Sequence, residues 1–516
     1  MNLRQYQIDT VAAIARGWSE YRKQLIVLPT GAGKTIVFCA IAASRLPEKT
    51  LILAHREELI DQAIAKLHRS TGIFGGKEKA EFSATLSDSV VIASVQTMIR
   101  RLNKWPKTHF SLVVVDEAHH ATADSYQTVL NHFDSAHVLG VTATPDRKDK
   151  KKLGKYFETI AKEVSLFDLV HQGYLAPIKI KSLPIKLDLR SVEMMNGDYD
   201  PEESSSAITI HLDKIARAVR EHAGFRRVLS FLPLIQTSRT AVYCLEREGV
   251  AAEHVDGEST DRAEILKRFE DGRTDVLCNA MLLTEGYDNP VVDCVVPLRP
   301  TKSRALFAQM VGRGTRIHPG KQDLLLLDFL WLHEKHDLVR PAHLIAGSED
   351  EAEQITKLAE GKCGGNSQSE FDLEGLASEA RKAREEKLRA ELERKAKRKA
   401  KTIDSTELAL MFGAHDAVEY EPVMKWEEMP ITEGQQAVLT RAGVDLESVL
   451  GRGHASKLID VIISRSKLNL ATPKQVRLLQ MLGHRNATEM LFDQASAYLN
   501  ARLGKRKESH GSSISH

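Results

Sequence analysis

Short, continuous apolar runs separated by helical stretches are the feature that most restricts the fold of residues 1–175. A run without alternating polar residues predicts a strand that is buried on both faces, which is typical of a parallel sheet covered by helices. Alternation of such strands with helices therefore predicts an α/β domain. The runs lie at 25–28, 51–54, 90–93, 112–115 and 138–141.

The same alternation returns in residues 220–345 and predicts a second α/β domain. We expect the first domain to cover 1–176 and the second to cover 177–345. A mixed segment with a polar middle, 176–219, looks like the connection between the two sets of strands. The strands of the second domain are expected at 228–231, 241–244, 276–278, 294–297 and 324–328.

The composition changes after residue 345. Residues 361–370 are rich in Gly, Ser, Gln and Asn, which predicts a flexible linker. Residues 376–401 are mostly Ala, Glu, Lys and Arg, which predicts a solvated charged helix. Its basic end, 394–401, is either a solvated spacer or a contact to nucleic-acid phosphates, and both interpretations stay open. We expect the linker and the charged helix together to cover 346–404.

Residues 405–516 contain an internal repeat with a period of 40 residues. Each copy has a threonine suited to cap a helix, a glycine that would end this helix, and a second helix, which predicts a small tandem helical module. The module suits docking of a protein or of nucleic acid, and the sequence does not choose between them. The matched pairs are Thr432 and Thr472, Gln435 and Gln475, Leu439 and Leu479, Gly443 and Gly483, Ala455 and Ala495, and Ser456 and Ser496.

Composition excludes several classes of protein. The chain has 516 residues, enough for about three domains. Its net charge of +2 excludes a strongly basic protein that covers a polyanion with its whole surface. A nucleic-acid surface must therefore come from local clusters of basic residues. Five cysteines without a CxxC pair predict reduced, buried thiols and no zinc site. The apolar runs are too short to span a bilayer, and the N-terminal residues lack the apolar core of a signal peptide. We therefore expect a cytoplasmic protein without a membrane partner.

A glycine loop, 29–35, follows the first strand and leads into an apolar helix. Glycines let backbone N–H groups converge on phosphate oxygens, and the helix N-terminus adds a favourable dipole. Lys34 would place its charge on the terminal phosphates, and the Thr35 hydroxyl would bind Mg²⁺. The strict phosphate-loop pattern has glycine where this chain has Leu28. The expected nucleotide-binding residues of the loop are Thr30, Gly31, Ala32, Gly33, Lys34 and Thr35.

Two adjacent carboxylates, Asp116 and Glu117, follow the apolar run 112–115. The carboxyl ends of parallel strands are where α/β proteins form their ligand sites. Asp116 would hold Mg²⁺ directly or through water, and Glu117 would activate the attacking water as a general base. Together with the glycine loop, the pair predicts a site that hydrolyses ATP with the help of Mg²⁺.

In their order along residues 1–345, these motifs resemble those of superfamily-2 helicases of the DEAD/DEAH-box type. The resemblance implies two RecA-like domains with ATP in the cleft between them. The string Arg4-Gln5-Tyr6-Gln7 resembles the adenine-recognition motif, in which Gln7 would bond the base and Arg4 or Tyr6 would pack near it. The string at 142–145 resembles the motif that couples hydrolysis to domain movement.

The second domain resembles the same family at 284–288 and 309–316. The resemblance implies that Gln309, Arg313 and Arg316 act on the phosphates, and that Gly286 and Asp288 contact the nucleotide. The three-residue spacing of the two arginines predicts that they share one face of a helix. Because the arginines would reach ATP only when the cleft closes, hydrolysis and closure would be coupled.

Two segments of the first domain, 54–59 and 94–97, resemble the family's motifs Ia and Ib. The residues expected to contact a nucleic-acid strand are Arg56, Gln96, Thr97 and Thr284. Contacts to the strand's backbone would make binding dependent on salt and largely independent of sequence. The expected partner is DNA, either single-stranded or forked.

Within the superfamily, the strings at 28–34, 298–301 and 311–314 resemble the RadD-like and type III restriction-subunit-like branch. That resemblance implies a DNA helicase or translocase acting in repair, recombination, restriction or defence. The chain departs from RadD-like proteins because it has no cysteine-rich zinc segment after the motor. Two alternatives stay open. One is an ATP-switched nucleic-acid clamp that recruits a protein partner through 405–516, and the other is an RNA helicase.

Overall fold

The computed structural model describes residues 3–54, 57–143, 153–154, 156–183, 185, 192–195, 198–284, 286–329, 338–346, 349–363, 369–396, 403–418, 420–484 and 486–508. The chain forms two compact units, Met1–Arg381 and Lys382–His516. Within the described ranges, no helix is both long enough and apolar enough to cross a membrane.

Seven parallel strands form the first sheet of the larger unit. They are β1 (Lys23–Val27), β2 (Thr50–Ala54), β3 (Gly76–Glu78), β4 (Val90–Ser94), β5 (Leu112–Asp116), β6 (His137–Thr142) and β7 (Thr159–Glu163). Their order across the sheet is β3-β4-β2-β5-β6-β1-β7. Strands β2, β4 and β5 are buried at every residue, and this explains why they are uninterrupted apolar runs in the sequence.

Helices cover both faces of this first sheet. They are α1 (Gln5–Gly17), α2 (Lys34–Ser44), α3 (Glu57–Thr71), α4 (Val95–Arg100), α5 (Asp124–His132) and α6 (Leu166–His171). Successive residues of β1 enter two separate buried clusters, because strand side chains alternate between the faces. Ile26 joins the cluster that contains Phe38 of α2, whereas Leu25 joins the one that contains Tyr126 of α5.

A second seven-stranded sheet follows in the same unit. Its strands are β8 (Ile178–Ser182), β11 (Val228–Phe231), β12 (Ala252–Val255), β13 (Val276–Asn279), β14 (Cys294–Pro297), β15 (Leu324–Asp328) and β16 (Ser369–Asp372). The order is β12-β13-β11-β14-β15-β8-β16, and all neighbours are parallel except β8 and β16. A separate antiparallel pair consists of β9 (Met194–Met195) and β10 (Asp198–Tyr199). The two parallel sheets confirm the predicted tandem α/β architecture.

The helices of this second part lie between and after its strands. They are α7 (Pro201–Thr209), α8 (Leu212–Ala223), α9 (Ile235–Arg247), α10 (Arg262–Glu270), α11 (Arg304–Gly312), α12 (Glu349–Cys363) and α13 (Leu373–Ala396).

The predicted strand at 241–244 is wrong, because these residues lie in α9. A four-residue apolar run fits a strand and a helix equally well. The buried positions Ser238, Ala241 and Leu245 recur three and four residues apart, which is the spacing of a helix face. One edge strand of the sheet is β12, whose central residues are only half-buried and do not form an apolar run.

The second sheet extends beyond the expected boundary at residue 345. Strand β16 pairs with β8 and places the buried Phe371 opposite Ile180. Helix α13 follows directly, and its Leu373 and Leu376 join the same buried cluster. Part of the segment expected to be linker and charged helix is therefore an edge strand, which a single apolar residue in four could not reveal. The side chains of the basic end, 394–401, lie outside the described residues.

Helices make up the smaller unit, as the repeat predicted. They are α14 (Ser405–Met411), α15 (His415–Val418), α16 (Glu433–Ala442), α17 (Arg452–Lys467), α18 (Pro473–Met481) and α19 (Phe492–Glu508). The first copy of the repeat forms α16 and α17, and the second forms α18 and α19. Each copy has its own buried cluster, the first around Leu439 and Leu458 and the second around Leu479 and Leu499.

Candidate functional site

The glycine loop leaves the carboxyl end of β1 and leads into α2. Gly31 and Gly33 have φ angles of +88° and +77°, a left-handed conformation that residues with a Cβ atom rarely adopt. Helix α2 starts at Lys34, so the N–H groups of its first turn have no partner within the helix. The loop therefore presents backbone donors, the Lys34 ammonium and the Thr35 hydroxyl at one end of the sheet.

The two predicted carboxylates lie at the carboxyl end of β5. Lys34 Nζ is 2.9 Å from Glu117 Oε1, and these side chains are only 13% and 10% exposed. His119 Nδ1 lies 3.5 Å from the other oxygen, Oε2. The backbone N–H of Glu117 donates to Asp116 Oδ1 at 3.0 Å. The structure thus joins the lysine of the loop to the proposed general base.

Opposing effects act on the Glu117 carboxyl. Burial alone would raise its pKa, but the nearby charges of Lys34, His119 and Arg313 outweigh burial and hold the pKa below its ordinary value. Glu117 is therefore ionised at neutral pH, as a general base must be. Arg313 belongs to the second α/β domain, so residues of both domains act on this carboxylate.

Helix α1 supports the glycine loop from the other side. Tyr6 Oη donates to the Ala32 carbonyl oxygen at 2.6 Å, and Gln7 Nε2 donates to the same oxygen at 3.1 Å. Gln7 Oε1 accepts from the backbone N–H of Arg4 at 3.0 Å. The Tyr6 ring packs edge-on against Tyr174 with centroids 4.9 Å apart, and Arg4 Nη1 donates to the Tyr174 carbonyl at 3.0 Å. The predicted adenine motif is thus in contact with the loop.

A cavity of about 500 Å³ opens beside this contact. Its volume is in the range of small-molecule sites. Residues here that the sequence did not indicate include Tyr174, which Arg4 and Tyr6 contact, and Arg69 and Ser70 at the end of α3. They lie far along the chain from the glycine loop and belong to no motif, so no local signal could have found them. The cavity is lined by Arg4, Gln7, Gly31, Ala32, Gly33, Ile36, Arg69 and Ser70.

The two arginines of the second domain lie just after α11. This helix ends at Gly312, so the prediction that Arg313 and Arg316 share a helix face is wrong. Residues 313 and 314 form a turn directly after the helix. Arg313 is buried and donates through Nη1 to the Tyr287 carbonyl at 2.8 Å. Arg316 Nε is 2.8 Å from Asp288 Oδ1.

Close packing of backbone brings the glycine loop against the turn after α11. A Cβ atom on Gly312 would lie 2.5 Å from Thr30 Cβ, and one on Gly31 would lie 3.0 Å from Thr315 Oγ1. Such distances leave no room for a side chain at either glycine. The predicted site residues of the two sheets therefore meet, although they are about 280 positions apart in the sequence.

The remaining predicted residues of the second domain differ in their surroundings. Asp288 also contacts Lys66 of α3 through Oδ2 at 2.6 Å. The Gly286 carbonyl accepts a hydrogen bond from Gln62 of the same helix. Gln309 is buried on α11. Gly286 and Asp288 thus lie at the contact between the two sheets, and Lys66 and Gln62 are further residues that the sequence did not indicate.

The described residues that are predicted to contact nucleic acid differ in their exposure. Gln96 is exposed at the start of α4. The Thr97 hydroxyl accepts a hydrogen bond from Ser94 Oγ at 2.9 Å and is half-buried. Thr284 is 1% exposed and donates through Oγ1 to the Met281 carbonyl at 2.6 Å, so its side chain is committed to a local turn. Arg56 lies outside the described residues.

Buried polar atoms without a hydrogen-bond partner among the described residues lie at the contact between the sheets, and they include Thr30 Oγ1, Glu117 Oε2 and Arg316 Nη1. Buried polar atoms are nearly always bonded, so these suit a polar ligand such as a phosphate with its attacking water. The Thr35 hydroxyl and the Asp116 carboxylate are the oxygen ligands that Mg²⁺ prefers. Within the described part of the chain, no group of three or more His, Cys, Asp or Glu could hold a metal by itself.

Two family models match this chain. Residues 1–147 match the model described as type III restriction enzyme, res subunit, and residues 210–318 match the helicase conserved C-terminal domain. The first match covers β1 to β6 of the first sheet, and the second covers β11 to β14 of the second sheet. The putative ATP-dependent helicase IRC3 of Saccharomyces cerevisiae is 32% identical over 356 residues, which are 64% of this chain and 51% of that protein. The chain thus spans about half the length of this curated relative.

Two further proteins are similar over a comparable share of the chain. DNA 3'-5' translocase XPB2 of Sulfurisphaera tokodaii is 25% identical over 358 residues, which are 61% of this chain and 78% of that protein. The solved fragment of a putative HsdR subunit of a type I restriction enzyme from Vibrio vulnificus YJ016 matches with a TM-score of 0.52 and 23% identity. That match covers 63% of this chain and 64% of the fragment, and it shows a shared fold.

Proposed function

We propose a function from one premise: the two α/β domains belong to the superfamily-2 helicases related to type I and type III restriction subunits. The chain hydrolyses ATP between these domains and thereby moves along DNA. The contact between the glycine loop and the turn that carries Arg313 and Arg316 is the observation that carries this proposal. A site built from two domains exists only while they are together. Hydrolysis is then coupled to domain closure, as a motor requires.

The chain's own residues supply most of what phosphoryl transfer needs. Nucleotide binding draws Lys34 from Glu117 to the phosphates, because both compete for the one ammonium. The freed Glu117 carboxylate then accepts a proton from the attacking water. Arg313 and Arg316 stabilise the charge that develops on the transferred group, an effect that can contribute on the order of 10³-fold or more. Thr35 and Asp116 would hold Mg²⁺, which neutralises phosphate charge when it is bound.

Recognition of adenine would fall to the cavity beside α1. Gln7 lies in the cavity wall, and its side chain is already oriented by bonds to Arg4 and Ala32. The Arg4 guanidinium lies in the same wall and is held by the Tyr174 carbonyl. This arrangement supports a preference for an adenine base, because both side chains are fixed before a nucleotide arrives.

DNA is the substrate that the relatives favour. The archaeal relative is named a DNA translocase, and one family model describes a restriction-enzyme subunit. Contacts to the strand's backbone would make binding independent of sequence. Gln96 is the exposed candidate for such a contact, whereas Thr284 would need to leave its turn first. The helical module at 405–516 would add a protein or nucleic-acid partner.

Steady-state hydrolysis of ATP tests this function. We expect turnover by the wild-type chain to rise when single-stranded or duplex DNA is added, and to respond less to RNA. Lys34→Ala should abolish turnover, and Glu117→Gln should lower kcat by about 10²-fold or more because the general base is lost. Glu81→Gln removes an exposed carboxylate of the same domain and should leave kcat unchanged.

Each result has one meaning. No stimulation by any nucleic acid in a folded chain would contradict the motor. Greater stimulation by RNA than by DNA would contradict the DNA substrate. Tight, ATP-dependent binding of DNA without displacement of a strand or of a bound protein would favour a clamp instead.

A further inference from the structure

Helix α3 of the first sheet contacts the segment 286–288 of the second. Gln62 Nε2 donates to the Gly286 carbonyl oxygen, and Lys66 Nζ lies 2.6 Å from Asp288 Oδ2. Gln62 and Lys66 are four residues apart, so they lie on one face of α3. One turn of the helix therefore holds both ends of a three-residue segment in the other domain.

Asp288 is shared between the two domains. Its Oδ2 meets Lys66, and its Oδ1 lies 2.8 Å from Arg316 Nε. The side chains of Lys66, Asp288 and Arg316 are 29%, 32% and 19% exposed, so the bridge is largely shielded from solvent. Burial alone would raise the pKa of Asp288, but the charges of Arg316 and Lys66 lower it below its ordinary value. The carboxylate is ionised and holds a cation on each side.

The bridge fixes the direction of the Arg316 guanidinium. Its Nε faces Asp288, while its Nη1 is buried without a hydrogen-bond partner among the described residues. A carboxylate held by one cation rotates about its own side-chain bonds, whereas one held on both oxygens does not. Removal of Lys66 would therefore loosen Asp288 and with it Arg316, although Lys66 lies outside the lining of the nucleotide cavity.

We propose that Lys66 is a positioning residue for hydrolysis: when the domains close, it holds Asp288 so that Arg316 faces the phosphates. This inference rests on the proposed function, because it assigns to Lys66 a part in the same turnover. Lys66 comes from the first domain and Arg316 from the second, so the arginine is aligned only when α3 has reached the segment 286–288. Arg316 therefore faces the phosphates only when the two domains are closed.

Three variants and steady-state ATP hydrolysis test the inference. Lys66→Met should lower kcat about tenfold, with KM for ATP changed by less than about twofold, because misalignment affects the transition state and not the cavity. Lys66→Arg should restore most of kcat, because it keeps a cation against Asp288. The matched control is Lys77→Met, which breaks a 2.7 Å ion pair with Asp61 of the same helix but within the first domain. It should behave as the wild type does.

A double variant separates positioning from general destabilisation. In the background of Asp288→Asn, Lys66→Met should cause little further loss of kcat, because the two residues act through one bridge. An equally large further loss would overturn the inference, and so would equal kcat values for Lys66→Met and Lys77→Met. A folded wild-type chain that hydrolyses no ATP would overturn the proposed function and this inference together. An active wild type with an unaffected Lys66→Met variant overturns this inference alone.

Discussion

Glu117 has the most constrained backbone of the site. Its φ of +50° is left-handed, although glutamate has a Cβ atom and pays about 1–3 kcal/mol for that conformation. The backbone N–H bonded to Asp116 and the side chain bonded to Lys34 hold it there. Strained backbone conformations persist at functional sites, where surrounding contacts hold the residue in place. Here the conformation directs the Glu117 carboxylate toward the glycine loop.

The ion pair between Lys34 and Glu117 predicts a stability that depends on pH. Lys34→Met should lower the free energy of unfolding by about 1–3 kcal/mol at pH 7, because a buried carboxylate oxygen is left without its hydrogen-bond donor. The wild-type pair contributes above the unfolded pKa of glutamate, and its contribution is lost as pH falls through the lowered folded pKa. Without Lys34, the pKa of Glu117 rises above its wild-type value, because fewer favourable charges oppose burial, so the folded variant is protonated at a higher pH. The difference should shrink between pH 7 and pH 5.

Urea unfolding at the two pH values measures this difference. The control is the same substitution in the background of Glu117→Gln, where the carboxylate is absent and the cost of Lys34→Met should not depend on pH. A cost that is equal at pH 7 and pH 5 in the wild-type background would contradict the prediction.

At the scale of elements, one glutamine in each copy of the repeated helical module makes two hydrogen bonds, one to the helix cap and one to the paired helix. Thr432 caps α16, and Gln435 Oε1 accepts from the Thr432 backbone N–H at 3.0 Å. Gln435 Nε2 donates across to Ser456 of α17 at 2.9 Å. In the second copy Gln475 makes the same bonds, to Thr472 at 2.8 Å and to Ser496 at 2.8 Å. The repeat therefore conserves a link between paired helices as well as a cap.

Loss of this link should destabilise one helix pair. Gln435→Ala removes a capping bond and a bond between helices, each worth about 1 kcal/mol, so it should cost about 1–2 kcal/mol. Hydrogen exchange of the full chain should show lower protection in α16 and α17. The matched control is Gln436→Ala, one residue along the same helix and exposed, which should leave the protection unchanged. Equal effects of the two variants would contradict the assigned role of Gln435.

At the scale of the whole larger unit, two glycines decide how closely the sheets approach. Gly31 lies in the loop after β1, and Gly312 ends α11. A side chain on Gly312 would collide with Thr30, and one on Gly31 with Thr315. The absence of a Cβ atom at both positions thus permits the contact on which the proposed hydrolysis depends.

Gly312→Ala should therefore separate the two halves of the site. We expect kcat for ATP hydrolysis to fall by about tenfold or more, because an arginine displaced by about 1 Å loses most of its effect. The cavity beside α1 belongs to the first domain, so binding of ATP should persist. The control is Gly257→Ala in the same domain, where an added Cβ atom meets nothing within 4 Å. Unchanged turnover by Gly312→Ala would show that the glycine contact is not needed.

Features that depend on neighbouring residues could be predicted from the amino-acid sequence alone. Uninterrupted apolar runs specified the parallel strands of the first sheet, because burial on both faces excludes polar residues there. Glycines at 31 and 33 specified a loop with left-handed backbone, and the 40-residue period specified paired helices capped by threonine. These features were predictable because each is encoded within a few consecutive residues or in a direct repetition.

Features that join distant segments became visible only in the folded chain. The apolar run at 241–244 lies in α9, because the helical spacing of buried residues extends beyond these four positions and their own composition does not select a helix. The bridge from Lys66 through Asp288 to Arg316 joins three segments that show no pattern in common. Contacts of this kind depend on how the two domains pack against each other. That packing is set by the shape and charge of residues that are distributed over both contact surfaces. No local spacing therefore marks the residues that the closed site brings together.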